Sequence, residues 1–201
     1  MNEETAFDKL SKYLKNKNIE FSSHVDDKHY ILFPSDPMSR KKFIVFKSNN
    51  CYFIANDSYS TKAYSSNTFS GLFCAIDLPK TFNLKMYKKH WVDLVLRTKK
   101  RKTGSLNIDK KVTITSSIKT IPSRLFDTET ISKFLDLNEK FTPFKMIIED
   151  DYIPFIKDLK GKMLVGIETD YWIFKEEELE TLLRKGELLL NNMKKNASII
   201  K

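Results

Sequence analysis

Residues 42–55, KFIVFKSNNCYFIA, contain the strongest local signal for the fold. Two apolar runs, Lys42–Lys47 and Cys51–Ala55, flank Ser48–Asn49–Asn50, and asparagine favours turn conformations. Both runs are nearly continuous in apolar residues, which is typical of strands that are covered on both faces. The segment therefore predicts an antiparallel hairpin in the interior of a sheet.

The residues before this hairpin predict a second one. Alternating apolar residues from Ile19 to Val25 predict a strand, Asp26–Asp27–Lys28 predicts a turn, and His29–Phe33 predicts the returning strand. Beyond Ala55, the polar run 56–70 (NDSYSTKAYSSNTFS) predicts a loop. Three further strands are then expected, at Phe69–Ile76, Phe82–Tyr87 and Val112–Thr115. Gly71 in the first of these indicates a bulge or a close backbone approach.

The second half of the chain predicts two more hairpins. Lys145–Glu149 and Tyr152–Lys157 flank the acidic turn Asp150–Asp151. Met163–Glu168 and Tyr171–Phe174 flank Thr169–Asp170 in the same way.

Three segments have the apolar periodicity of helices. The first begins near Thr5, where Asp8 completes a capping box, and ends near Asn16–Asn18. The second is capped by Asp127 or Thr128, and the third runs from about Lys175 to Lys195 with Gly186 marking a bend or a close contact. The fold class predicted is α+β, predominantly antiparallel sheet with three longer helices packed against it.

Charge is distributed unequally along the chain. Residues 1–110 contain 20 basic and 11 acidic residues, whereas residues 111–201 contain 15 of each, so the net charge of +9 belongs to the first part. This predicts a basic, strand-rich half at 1–110 and a neutral half at 111–201, either as two subdomains or as one compact domain. A polyanion-facing surface explains the asymmetry. The composition typical of AT-rich genomes explains it as well, because 30 of the 35 basic residues are lysine.

The densest basic stretch, 88–104 (KKHWVDLVLRTKKRKTG), is the main candidate binding site. Its cations suit a phosphate backbone or an anionic lipid surface, and its tryptophan suits stacking on a base or packing in the core. Two arginines among seven cations favour backbone contact over base recognition, which prefers the arginine fork. The candidate residues are Lys88, Lys89, Trp91, Arg97, Lys99, Lys100, Arg101 and Lys102.

A second candidate site is the polar loop, in which Tyr59, Tyr64 and Ser65 offer rings and hydroxyls to a ligand. The alternative is a surface connection whose hydroxyl groups satisfy the local backbone.

Common cofactor and metal motifs are missing from the sequence. None of the five glycines belongs to a phosphate-binding loop. His24 and His29 flank two aspartates across the predicted turn, which is the nearest approach to a metal cluster. Cys51 and Cys74 lie in predicted buried strands, where a thiol behaves as a small apolar group. We therefore expect no cofactor, no metal and no catalytic residue.

The sequence favours a non-enzymatic, cytoplasmic binding or interaction domain. The Lys88–Lys102 surface would contact a polyanion, which is a nucleic-acid backbone or an anionic membrane surface, or an acidic protein partner. The alternative is an enzyme or small-molecule-binding protein with a cleft of dispersed residues near the Tyr59–Ser66 loop, and a third is a structural partner that docks through the C-terminal helix. The cytoplasmic location follows from two cysteines without disulfide or metal spacing, a polar N-terminal segment and no apolar run near the roughly 18–20 residues that span a bilayer.

Overall fold

A computed structural model of the protein describes residues 4–32, 37–89, 100–103, 105–118, 121–140 and 143–199. Its strands form one sheet in the order β1-β2-β3-β4-β9-β8-β5-β7-β6, and every pair of neighbours is antiparallel. The strands are β1 (Phe21–His29), β2 (Pro37–Ser48), β3 (Cys51–Ser60), β4 (Ser65–Ala75), β5 (Leu84–Lys88), β6 (Lys100–Arg101), β7 (Val112–Ser116), β8 (Lys145–Asp150) and β9 (Met163–Thr169). The helices are α1 (Ala6–Asn16), α2 (Leu106–Asp109), α3 (Thr128–Lys140), α4 (Glu176–Thr181) and α5 (Glu187–Ser198). The predicted α+β class is confirmed.

The central hairpin is confirmed, and its strands are longer than predicted. Ser48 pairs with Cys51 across a tight turn in which Asn49 has a φ of 50°. Ile44 and Phe46 are buried on one face of the sheet and Val45 on the other, so the prediction of coverage on both faces is also correct. The predicted loop at 56–70 is wrong, because β3 and β4 continue through it and leave only a short turn at residues 61–64.

The predicted turn at Asp26–Asp27–Lys28 is wrong as well. β1 runs straight through these residues and pairs with β2 along its whole length. The carboxylate of Asp27 lies 3.1 Å from the Lys42 ammonium on that neighbouring strand. Cross-strand pairs of opposite charge stabilise antiparallel strands, so these polar residues belong to a charged strand rather than to a turn.

In the second half, both predicted hairpins are wrong in their second strands. β8 pairs directly with β9, and residues 151–162 between them form turns. Residues 171–199 form no strand, and the Trp172 indole N–H donates to the carbonyl of Asn56 at 3.0 Å.

The sheet is covered by a different layer on each face. Helices α1, α3 and α5 pack into the larger core, which we call the helix-side core, through residues such as Leu14, Phe134 and Leu190. The smaller loop-side core is closed by the turns between β8 and β9. Its buried members are Val45, Ile54, Phe69, Phe73, Ile153, Leu159 and Leu164.

The predicted helix ends are confirmed. Thr5 and Asp8 form the capping box of α1, Asn18 has a φ of 53° just beyond that helix, and Asp127 accepts from the Thr130 backbone N–H at 2.7 Å. The C-terminal helix comprises α4, a π-helical turn at Leu182–Gly186 and α5. The π-turn ends at Gly186, where an added Cβ would lie 3.1 Å from a Leu182 methyl carbon.

The sheet draws strands from both sides of residue 110, since β9 lies between β4 and β8. Gly71 faces Glu168 across the β4–β9 pair, and a Cβ at Gly71 would lie 2.4 Å from the carbonyl oxygen of Ile167. The predicted close backbone approach is therefore confirmed.

In the described part of the chain, no helix has the length and apolar character to span a membrane.

Candidate functional site

Three segments of the basic region meet at one end of the sheet. β5 pairs with β7, and just beyond that pair the Lys89 N–H donates to the Lys111 carbonyl at 2.9 Å. β6 pairs with the other side of β7. Beyond β6 the Thr103 N–H donates to the Asp109 carboxylate at 2.9 Å. These contacts place Lys88, Lys102, Lys110 and Lys111 at the same end of the sheet, and we call these four residues the lysine surface.

All four side chains of the lysine surface are exposed, and none forms an ion pair with a carboxylate of the described residues. The nearest acidic residue in sequence, Asp109, accepts both the N–H and the hydroxyl of Thr103 at 2.9 Å. Its charge is therefore engaged locally. The lysine surface keeps its positive charge available to an external anion.

Two of the predicted site residues donate hydrogen bonds to backbone carbonyl groups and so stabilise the fold. The Lys89 ammonium donates to the Asp109 carbonyl at 2.9 Å, and the Arg101 Nε–H donates to the Ser116 carbonyl at 3.3 Å. Both side chains are part-buried and fasten the edge of the sheet. Lys88 and Lys102 remain as exposed candidates.

The other predicted residues of this stretch are described only in part. Lys100 begins β6, and its side chain lies outside what the structure describes. Trp91, Arg97 and Lys99 lie outside the described residues. Within the described residues, this basic region forms the short strand β6 and, just beyond it, the short helix α2.

Lys110 and Lys111 were missed by the sequence analysis. They precede the strand predicted at Val112–Thr115, but only the long-range pairing of β5 with β7 shows that they lie beside Lys88. A pair of lysines at a strand start is a weak signal on its own in a lysine-rich chain.

The lysine surface ends at a cavity of about 520 Å³ between α2 and α3. Lys111 lines this cavity together with Asp136 and Glu139 of α3. The positive surface is thus bounded on this side by negative charge.

The three candidates of the second site lie at the end of the β3–β4 hairpin. Tyr59 pairs with Ser66, Ser65 begins β4, and Tyr64 has a φ of 47° and is 97% exposed. None of the three lines any of the four cavities described for residues 4–32, 37–89, 100–103, 105–118, 121–140 and 143–199. Tyr59 lies near the end of β3, Tyr64 in the turn and Ser65 at the start of β4.

A shallow groove of about 390 Å³ lies nearby, beneath the start of α1. Phe7, Trp172 and Arg40 line it. The Arg40 Nε lies 3.1 Å from the Asp57 carboxylate, which also accepts the Thr68 hydroxyl at 3.0 Å. Because its arginine is already paired, this groove offers less free charge to a ligand than the lysine surface.

A buried carboxylate lies in the centre of the sheet. Glu168 is 1% exposed, lies 3.1 Å from the Lys145 ammonium and accepts the Tyr152 hydroxyl at 3.0 Å. Burial raises the pKa of Glu168 against the opposing effect of Lys145. Burial and the Glu168 charge raise the pKa of Tyr152. Every member has a partner, so the network fits a structural role.

The cysteines and histidines form no reactive cluster among the described residues. Extending the β3–β4 register places Cys51 opposite Cys74, and both thiols are buried. The hydrogen bond to Cys51, together with burial, raises the pKa of Cys74. His24 and His29 lie five residues apart on β1, whose pairing with β2 is irregular at Lys28–His29, and His24 stacks on Phe43. No group of three or more potential metal ligands occurs in the part of the chain that the structure describes.

Comparison of the chain with models of protein families, with curated proteins and with solved structures found no match. A function for the chain is therefore inferred from the geometry and charge of its own residues.

Proposed function

We propose that the protein is a non-catalytic binding protein that contacts an extended polyanion, a nucleic-acid backbone, through the lysine surface. The observation that carries the proposal is the meeting of three chain segments that present four exposed lysines without a described carboxylate partner. Binding of unpaired surface ammonium groups to a phosphate backbone is favourable because it releases the counterions condensed on that backbone.

The type of cation and its surroundings define the class of partner. Lysine acts as a point charge that contacts phosphate without reading bases, so the expected binding has little sequence preference. Leu106 is 77% exposed and is the one large exposed apolar residue in the described segments that build this surface. A single apolar residue contributes little to insertion into lipid, which favours a nucleic acid over a membrane.

Fluorescence anisotropy with a labelled oligothymidylate of about 20 nucleotides tests the proposal. We expect binding at about 50 mM salt that weakens linearly in log–log form as salt rises. In a variant with Lys88→Gln, Lys102→Gln, Lys110→Gln and Lys111→Gln, the salt slope should fall by about 0.7 for each lysine that contacts a phosphate. These side chains are exposed, so the variant should fold normally.

The matched control removes the same charge elsewhere, with Lys15→Gln, Lys47→Gln, Lys62→Gln and Lys157→Gln, all at exposed positions. It should retain most of the affinity. Equal loss in both variants would show that net charge alone causes binding and would overturn the proposed surface. Binding to anionic vesicles without binding to the oligonucleotide would overturn the nucleic-acid assignment.

A further inference from the structure

A second concave site lies at the opposite end of the sheet from the lysine surface, where β4 ends and β9 begins. It is a shallow cavity of about 450 Å³ that is more open to solvent than the groove beneath α1. Ile76, Leu78 and Met163 form its wall, each of them 9% exposed or less. The Ile76 N–H donates to the Met163 carbonyl at 2.9 Å, which holds the two segments of the wall together.

Three lysines line this cavity, each from a different element. Lys80 follows β4, Lys162 precedes β9, and Lys194 belongs to α5. Lys80 donates to the Gly161 carbonyl at 3.2 Å and lies 3.4 Å from the Asp150 carboxylate. Lys162 and Lys194 form no ion pair with a described carboxylate.

The described residues that line the cavity carry a charge of +2, from three lysines and the exposed Asp77. Asp150, which pairs with Lys80, lowers the net charge around the cavity to +1. Lys194 near the C-terminal end of α5 is also favoured by the helix dipole. The helix dipole accounts for Lys194 and the ion pair with Asp150 accounts for Lys80, but neither accounts for Lys162 beside the same apolar wall.

We propose that this cavity binds a phosphate monoester that carries a short apolar group. Lys162 and Lys194 offer ammonium groups without a described carboxylate partner, and Lys80, held by Asp150, adds a third donor, so each free oxygen of a phosphate can contact a lysine from a different element. A planar carboxylate would be better recognised by an arginine fork, and no arginine among the described residues lines the cavity. The apolar group packs on Ile76, Leu78 and Met163, in a volume within the range of small-ligand sites.

Isothermal titration calorimetry with inorganic phosphate, butyl phosphate and butyrate tests this site. We expect butyl phosphate to bind most tightly, with about a fourfold gain over inorganic phosphate for each methylene that becomes buried. Lys162→Gln combined with Lys194→Gln should weaken butyl phosphate binding at least tenfold. A control with Lys160→Gln and Lys195→Gln changes exposed neighbours on the same two elements and should leave binding unchanged.

A flotation experiment with vesicles that contain phosphatidic acid distinguishes a lipid source of this phosphate from a soluble one. It uses the fourfold variant of the lysine surface, so that binding there does not contribute. If this fourfold variant floats with the vesicles, and if adding Lys162→Gln and Lys194→Gln to it abolishes flotation, the ligand is a lipid headgroup in a bilayer. If the protein binds butyl phosphate but does not float, the ligand is a soluble phosphate monoester. The site is overturned if butyl phosphate binds no better than inorganic phosphate, or if the control loses as much affinity as the cavity variant. Neither result bears on oligonucleotide binding.

Discussion

Glu168 has almost no exposed surface, yet it is an ionisable residue in a central strand. Its position follows from its neighbours across the sheet, because the register places Gly71 on one side and Lys145 on the other. The glycine leaves room where a Cβ would meet the carbonyl oxygen of Ile167, and the lysine supplies the opposite charge. The sequence indicated the glycine contact but not the ion pair, because strand pairing over long sequence separation decides which charges meet.

This network predicts a specific pH dependence. The pKa of Glu168 is raised above its ordinary value of 4.5, mainly by burial. Between pH 4.5 and the higher pKa of the folded state, the folded protein therefore keeps a proton that the unfolded protein has lost. The stabilising contribution is therefore complete below pH 4.5 and is lost as pH rises through the folded pKa. The loss is at most about 1.4 kcal/mol per pH unit. Glu168→Gln should remove this loss, so the variant should gain stability relative to the wild type as pH rises.

Urea unfolding of both proteins over a pH series measures this difference. Glu177→Gln removes the same charge from an exposed position and should reproduce the wild-type profile. Lys145→Met should extend the loss to higher pH, because the buried carboxylate without its counter-charge keeps its proton to a higher pH. Parallel profiles for wild type and Glu168→Gln would contradict the assignment of the carboxylate as the titrating group.

At the scale of the elements, sequence signals confined to neighbouring residues were reliable. The capping box at Thr5, the cap at Asp127 and the hairpin at Ser48–Asn50 were all predicted, because each is made by residues a few positions apart. The acidic turn at Asp150 failed as a hairpin signal because Ile153 is buried against the opposite face of the sheet. An apolar residue in a turn and one in a strand look alike in sequence.

The cap of α3 predicts a measurable contribution to stability. The Asp127 carboxylate accepts the Thr130 N–H, and the Thr130 hydroxyl accepts the Asn196 amide at 3.3 Å, so the cap also joins α3 to α5. Burial opposes ionisation of Asp127, but hydrogen bonds from Thr130 hold its pKa below the usual 3.8. We expect Asp127→Ala to lower the free energy of unfolding by about 1 kcal/mol at neutral pH.

The matched control for this cap is Asp127→Asn, because asparagine caps helices as well as aspartate does. It should recover most of the loss in thermal or urea unfolding. The wild-type advantage over Asp127→Ala is present above pH 3.8 and should shrink as pH falls through the lower folded pKa. Equal stability of all three proteins would show that the helix end is satisfied without this side chain.

At the scale of the whole molecule, one sheet connects two surfaces with different roles in our proposals. The lysine surface lies where β5 ends and β7 begins, and the cavity with Lys162 and Lys194 lies where β4 ends and β9 begins. The sequence located the excess charge in residues 1–110 and named Lys88 and Lys102, but it did not indicate Lys110, Lys111 or the cavity. Lys162 and Lys194, which line the cavity, belong to the neutral half. Lys162 lies near Lys80 because β9 pairs with β4, and Lys194 lies there because α5 packs against the same two strands.

The sheet also depends on cover from both faces, and this gives the last prediction. Ile153 and Leu159 are at most 2% exposed and close the loop-side core from the turns between β8 and β9. We expect Ile153→Ala to cost roughly 2–5 kcal/mol, as is usual for a large-to-small change in a core. Combined with Leu159→Ala, the loss would be comparable with the total stability of many domains, about 5–15 kcal/mol. Leu188→Ala, at a position that is 54% exposed, should stay within about 0.5 kcal/mol of the wild type. Urea unfolding measures all three, and a cost below about 1 kcal/mol for Ile153→Ala would show that residues 151–162 do not cover the sheet.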